Sequence, residues 1–170
     1  MRIFGLAGWS GSGKTTLMTA LIPEFVSRGI TVSTVKHAHH SFDIDQPGKD
    51  SWLHRQAGAQ EVMVASGQRW ALMHELRGAA EPSLDDLLER MAPVDLVMVE
   101  GFKHHDHPKI EVYRPALGKP LLHPDDPFVV AIASDRRLPE FSRPWLPLEN
   151  ASAIANFILG HEIEPVRRHS

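Results

Sequence analysis

Residues Gly8–Thr15 read G-W-S-G-S-G-K-T, a full match to the pattern G-x-x-x-x-G-K-[ST]. This stretch constrains the fold more than any other, because it works only between a buried strand and the start of a helix. The strand delivers the glycines. The helix points the positive end of its dipole at whatever anion the glycines enclose. Both neighbours are present. Arg2–Ala7 is a short apolar strand, and Leu17, Met18 and Leu21 continue the other side at helical spacing. The chemistry expected of Gly8, Ser10, Gly11, Ser12, Gly13, Lys14, Thr15 and Thr16 is phosphate binding. Inward N–H groups meet phosphate oxygens, Lys14 adds a full charge, and the Thr15 hydroxyl ligates Mg²⁺.

The chain has 170 residues, a net charge of −3 and no cysteine. That length suits one domain with a full core. The mild acidity gives no push toward nucleic acid or an anionic membrane. Disulfides, zinc ribbons and thiol catalysis are excluded. No apolar run approaches a membrane span, and the first strand begins at once, so no signal peptide is expected and a cytoplasmic location is the default. Eleven histidines are the compositional oddity.

Along the chain, strands alternate with helices. The reading is strands at 2–7, 30–36, 62–65, 70–74, 94–100, 109–114 and 128–133, and helices at 13–27, 49–57, 83–91 and 151–159. Pro23 is expected to kink the first helix or end its regular bonding near Ile22, and Gly29 to close it. The uninterrupted apolar run before Glu100 is typical of a parallel strand covered on both faces. The fold class expected is therefore α/β: a three-layer P-loop NTPase with a mostly parallel central sheet. One nucleotide-binding domain over 1–160 is followed by a polar tail over 161–170. Trp70–His74 and the segment 112–122 are candidate edges for pairing between chains.

Ligands of such sheets sit beyond the carboxyl ends of the strands, where polar residues concentrate here. Glu100 ends a buried apolar strand, the usual place of a second magnesium-side carboxylate that holds a metal-bound water or orients an attacking one. Gly101 beside it allows the backbone to approach a ligand closely. Asp45, with Asp43, lies in the loop after the second strand and is a candidate third magnesium-side acid. Asp135, after the strand ending at Ala133, could accept from the N1–H and N2–H₂ of guanine, a donor pair adenine lacks; an ordinary turn aspartate before Arg136 is the alternative. Histidines cluster after two strands, as His37, His39 and His40 beside Lys36, and as His104, His105 and His107 beside Lys103. These loops are expected to face each other near the γ-phosphate side. Transition-metal binding, capture of an anionic partner and plain exposed loops all fit the spacing.

Taken together, the glycine loop, Lys36-His37-Ala38-His39-His40, Asp45 with Pro47-Gly48-Lys49-Asp50-Ser51, Ala57-Gly58-Ala59 and Val99-Glu100-Gly101-Phe102-Lys103 resemble the molybdopterin-guanine dinucleotide biosynthesis adapter protein B (MobB) family over about residues 1–135. The resemblance implies a homodimer that binds GTP and Mg²⁺ and hydrolyses GTP slowly at most. It implies a partner, the guanylyltransferase that transfers GMP to molybdopterin, with molybdopterin-containing intermediates as candidate further ligands. Carried over by motif, Lys14 and Thr15 take phosphate and magnesium, and Glu100 and Asp45 are the catalytic, magnesium-side acids. Two readings of other classes stand beside it. One is a nickel- or zinc-handling P-loop GTPase that uses the histidines; the absence of cysteine counts against it. The other is a small-molecule kinase, for which Arg136-Arg137 would have to serve as a lid.

Overall fold

In the computed structural model, which describes residues 1–38, 42–102 and 105–162, six strands form one all-parallel sheet in the order β2-β5-β1-β6-β7-β8. These are β1 (Arg2–Ala7), β2 (Val32–Lys36), β5 (Leu96–Glu100), β6 (Lys109–Tyr113), β7 (Val129–Ser134) and β8 (Trp145–Pro147). A second sheet pairs β3 (Glu61–Ala65) with β4 (Trp70–His74), antiparallel. The chain divides into two compact units, one of residues 1–37 with 89–170, the other of residues 38–88.

The first unit is built on alternation. In β1, Phe4 and Leu6 face one side of the sheet, joined by Leu96 and Met98 of β5, Ile110 and Val112 of β6, and Ala131 and Ala133 of β7. Two helices cover that face. Helix α1 (Lys14–Ser27) contributes Leu17, Met18, Leu21 and Phe25; the final helix, α4 (Ala151–Gly160), contributes Ile154, Ala155 and Ile158. Helix α1 runs through Pro23 to Ser27, so the proline does not end it, and Gly29 follows at φ 76°. Arg2 ties the first strand to the last helix, donating to the carbonyls of Ile158, Leu159 and His161 at 2.8–3.2 Å. These carbonyls at the C-terminal end lack partners within the helix.

The opposite face carries charge. Lys109 and Glu111 alternate with the core residues of β6 and are 1% and 0% exposed. Burial at that level requires partners, and both have them. Lys109 Nζ donates to Asp126 at 2.8 Å. The Glu111 carboxylate accepts from Leu122 N–H, His123 N–H and His123 Nδ1 at 2.8–3.2 Å. These bonds pin the long β6–β7 crossover, whose one helical turn is a 3-10 turn at Pro115–Leu117, to the sheet.

β6 is an interior strand, hydrogen-bonded to β1 on one side and β7 on the other. Of the candidate pairing segment 112–122, Val112 and Tyr113 therefore lie inside the sheet and not at an edge. β8 has no counterpart in the sequence reading. Pro144 and Pro147 bracket its core, and proline inside a short run argues against a strand except at an edge, which is where β8 lies.

In the second unit, helix α2 (Asp50–Gln56) precedes the β3–β4 hairpin and α3 (Leu84–Glu89) follows it. α3 opens with a reciprocal cap: Ser83 Oγ accepts from Asp86 N–H at 3.1 Å, and Asp86 Oδ2 accepts from Ser83 N–H at 2.8 Å. The hairpin shows water Met63, Val64, Trp70 and Leu72, each at least 41% exposed.

Candidate functional site

The loop leaves β1 at Ala7 and enters α1 at Lys14. Gly8 is required there. At φ 144° a Cβ would lie 2.5 Å from the Val112 carbonyl oxygen and 2.8 Å from Ser12 Oγ. The glycine lets the loop lie flat against the neighbouring strand. Gly13, at φ 100°, caps α1. Lys14 folds back so that Nζ donates to the carbonyls of Gly8 and Trp9, both at 2.9 Å. The ammonium is thereby fixed over the loop. The Ser12 hydroxyl is 1% exposed as a residue and its Oγ has no hydrogen-bond partner. A buried hydroxyl left unpaired costs free energy, and a bound anion would satisfy it.

Thr15 and Glu100 come together. Thr15 Oγ1 donates to Glu100 Oε1 and Oε2 at 3.0 and 3.2 Å, and Lys36 Nζ stands 3.7 Å from Oε1. Adjacency of β1 and β5 makes this possible, because the glycine loop follows one strand and Glu100 ends the other. A hydroxyl and a carboxylate at contact distance, beside a cradle of N–H groups, is the oxygen donor set that magnesium takes. The residues fit the ion.

Gly101 also makes room for a neighbouring strand end. A Cβ at Gly101 would sit 2.7 Å from His37 Cβ. The close approach is to the end of β2, where His37 N–H donates to the Glu100 carbonyl at 2.8 Å and the His37 and Phe102 rings lie 4.8 Å apart.

Asp45 belongs to the second unit and is tightly partnered there. Arg55 Nη2 donates to Asp45 Oδ1 at 2.7 Å and to Asp43 Oδ1 at 2.5 Å, and Nη1 donates to Glu75 Oε1 at 3.1 Å. These bonds, with Glu75 first, raise the Arg55 pKa further above its already high value. Asp135 lies at the end of β7, with Ser134 Oγ 3.5 Å away and Arg114 Nη1 at 3.7 Å.

Of the histidine-loop residues, part can be placed. His39, His40, Lys103 and His104 lie outside the described residues. His107 is 3% exposed, its Nε2 packed where a Cβ on Gly5 would stand 2.4 Å away. Burial, then Lys109 and His105 nearby, push its pKa down to about 4. His105 and His107 meet Nδ1 to Nδ1 at 3.1 Å, and His107 N–H donates to the His105 carbonyl at 3.0 Å. Among the described residues no three His, Asp or Glu side chains form a group that could hold a metal by themselves.

Sequence reading overlooked the strap that follows β6. Trp9 Nε1 donates to the Pro120 carbonyl at 2.8 Å, and Lys119 Nζ stands 5.8 Å from the centre of the Trp9 ring. Arg114 Nε donates to the Ser12 carbonyl at 3.1 Å. Sequence separation of about a hundred residues hides this contact. Its one signal is that Arg114 ends a strand, as Glu100 and Asp135 follow theirs.

Comparison with known proteins decides the family. The family model for molybdopterin guanine dinucleotide synthesis protein B matches residues 3–135. The chain belongs to this MobB family. A molybdopterin-guanine dinucleotide biosynthesis adapter protein of Haemophilus influenzae is 43% identical over 92% of this chain and 86% of its own. Its Escherichia coli counterpart is 42% identical over 92% and 91%. A crystal structure of a molybdopterin-guanine biosynthesis protein B superposes with a TM-score of 0.72 at 29% identity, covering 92% of this chain and 97% of that one. MobB membership accounts for the P-loop NTPase-like α/β fold, with its parallel six-stranded sheet and helices. None of the described helices is long and apolar enough to cross a membrane.

Proposed function

We propose that this chain binds GTP with Mg²⁺ at the glycine loop and acts as an adapter for the guanylyltransferase that converts molybdopterin to its guanine dinucleotide form. The observation that carries the nucleotide half is the meeting of Thr15 and Glu100 at 3.0 Å beside the fixed Lys14. The adapter half rests on family membership and on the names its relatives bear.

In this reading Gly8, Ser10, Gly11, Ser12, Gly13 and Thr16 present N–H groups and hydroxyls to the phosphates, and Lys14 adds charge. Thr15 and Glu100 hold magnesium, which offsets the phosphate charge. Asp45 is the third acid proposed for the magnesium side. Asp135 accepts from the Watson–Crick edge of guanine. Hydrolysis is weak at most, since positioning groups beyond the loop set the rate of phosphoryl transfer. The protein works as a homodimer in the cytoplasm, and the apolar residues exposed on the β3–β4 hairpin supply surface for self-association. Molybdopterin-containing intermediates are candidate ligands of the assembled complex.

Titration with GTP and ATP side by side, with and without Mg²⁺, tests the nucleotide half. GTP should bind more tightly, and Asp135→Ala should narrow the gap. Equal affinity for the two nucleotides would remove the guanine role of Asp135.

A further inference from the structure

We propose that Arg114 is a second phosphate-contacting cation of the nucleotide site, supplied by the end of β6 and not by the glycine loop; this rests on the nucleotide reading above. β6 runs beside β1, so the residue following it emerges next to the loop. Arg114 Nε is held by the Ser12 carbonyl at 3.1 Å. Its Nε and Nη2 both lie 3.5 Å from where a Cβ on Gly13 would stand, at the head of α1. Nη1 is 3.7 Å from Asp135 Oδ2, beyond hydrogen-bond length. One donor is therefore anchored, and the two terminal amino groups have no hydrogen-bond acceptor among the described residues. The side chain is 40% exposed, open to an incoming ligand.

The setting favours an anion. The first turn of α1 contains no acidic residue to answer its positive end. The backbone of Arg114 is itself fixed, its carbonyl accepting from Leu117 N–H at 3.0 Å. Gly13 belongs to the part of such loops that cradles the α- and β-phosphates, so the contact should be made to a diphosphate as well as a triphosphate.

The test is calorimetric titration of GTP and GDP into wild type, Arg114→Ala, Arg114→Gln and, as a control on the site, Lys14→Ala, each first checked for folding by thermal melting. Gln can still donate to the Ser12 carbonyl but carries no charge. Both Arg114 variants should bind GTP and GDP about 10- to 100-fold more weakly, the size of a charge-assisted hydrogen bond. If Arg114→Gln keeps wild-type affinity, the residue merely pins Ser12 and the proposal fails. Unchanged affinity in the Arg114 variants alongside loss in Lys14→Ala overturns the role of Arg114 and leaves the nucleotide site standing. Absence of binding by the wild type overturns both. Should Arg114→Ala not fold, Arg114→Gln alone decides.

Discussion

Glu100 and Asp45 are acids with the same expected task in two very different settings. Glu100, at the end of β5, accepts from a neutral hydroxyl and has one lysine at 3.7 Å. Asp45 is bonded twice by Arg55, which also holds Asp43 and Glu75. A metal can replace a hydroxyl contact at low cost, whereas it must break a charge-assisted pair to reach Asp45. The contrast extends to the units that carry them. The sheet unit buries its apolar residues and partners its buried charges. The hairpin unit leaves Trp70 and Met63 more than 60% exposed and holds its polar end with one arginine. In the first unit Thr15, Lys36 and Glu100 already lie together.

The largest effect expected is on the stability of the sheet unit. The pKa of His107 is about 4 in the folded chain against an ordinary 6.5. Between those values the unfolded chain binds more protons, so stability falls as pH drops from 6.5 toward 4, and nothing further is lost below. The loss is on the order of 3 kcal/mol. Denaturant melts of wild type and His107→Leu over that range should differ in slope; parallel curves would contradict the burial argument. Next, Lys14→Ala should weaken GTP binding about 10- to 150-fold, or ~1.5–3 kcal/mol, with a smaller loss of stability from the two carbonyl contacts it gives up.

Glu100→Gln should reduce magnesium-dependent nucleotide affinity by about 10- to 100-fold, and Asp45→Asn by less. A larger metal defect for Asp45→Asn would reverse the comparison between the two acids. The smallest effect is local. Arg55→Met should speed amide exchange within residues 42–88 by several-fold, as for a partly solvated ion-pair network. Exchange in β1 and β5 should not change. Global acceleration would mean that the two units do not respond separately.

Much of the sheet unit was legible because its signals are local. β1, the loop, α1 and the apolar run into Glu100 each occupy a short window, and strand adjacency then brings Thr15 to Glu100. What was hidden depends on distant partners. Nothing local on β6 shows that Glu111 is fully buried; it is so because His123 and the backbone of Leu122 and His123 come to meet it. His107 sits in a run of polar residues that reads as an exposed loop; Gly5, lacking a side chain, opens the space that buries it. Pro23 was expected to kink α1 or end its regular bonding near Ile22; the helix runs on to Ser27, with Leu21 and Phe25 on either side fully buried, and that packing outweighs the missing donor. Arg114 shows itself only once β6 is known to lie beside β1.

The central claim is that the glycine loop holds GTP for use beside a partner. It is tested most directly by capturing the guanylyltransferase of the molybdenum cofactor pathway from cytoplasmic extract on this protein, loaded with GTP and Mg²⁺, with Lys14→Ala run in parallel. The account predicts recovery of that enzyme by the wild type and reduced recovery by the variant. Failure of the GTP-loaded wild type to retain it would contradict the account.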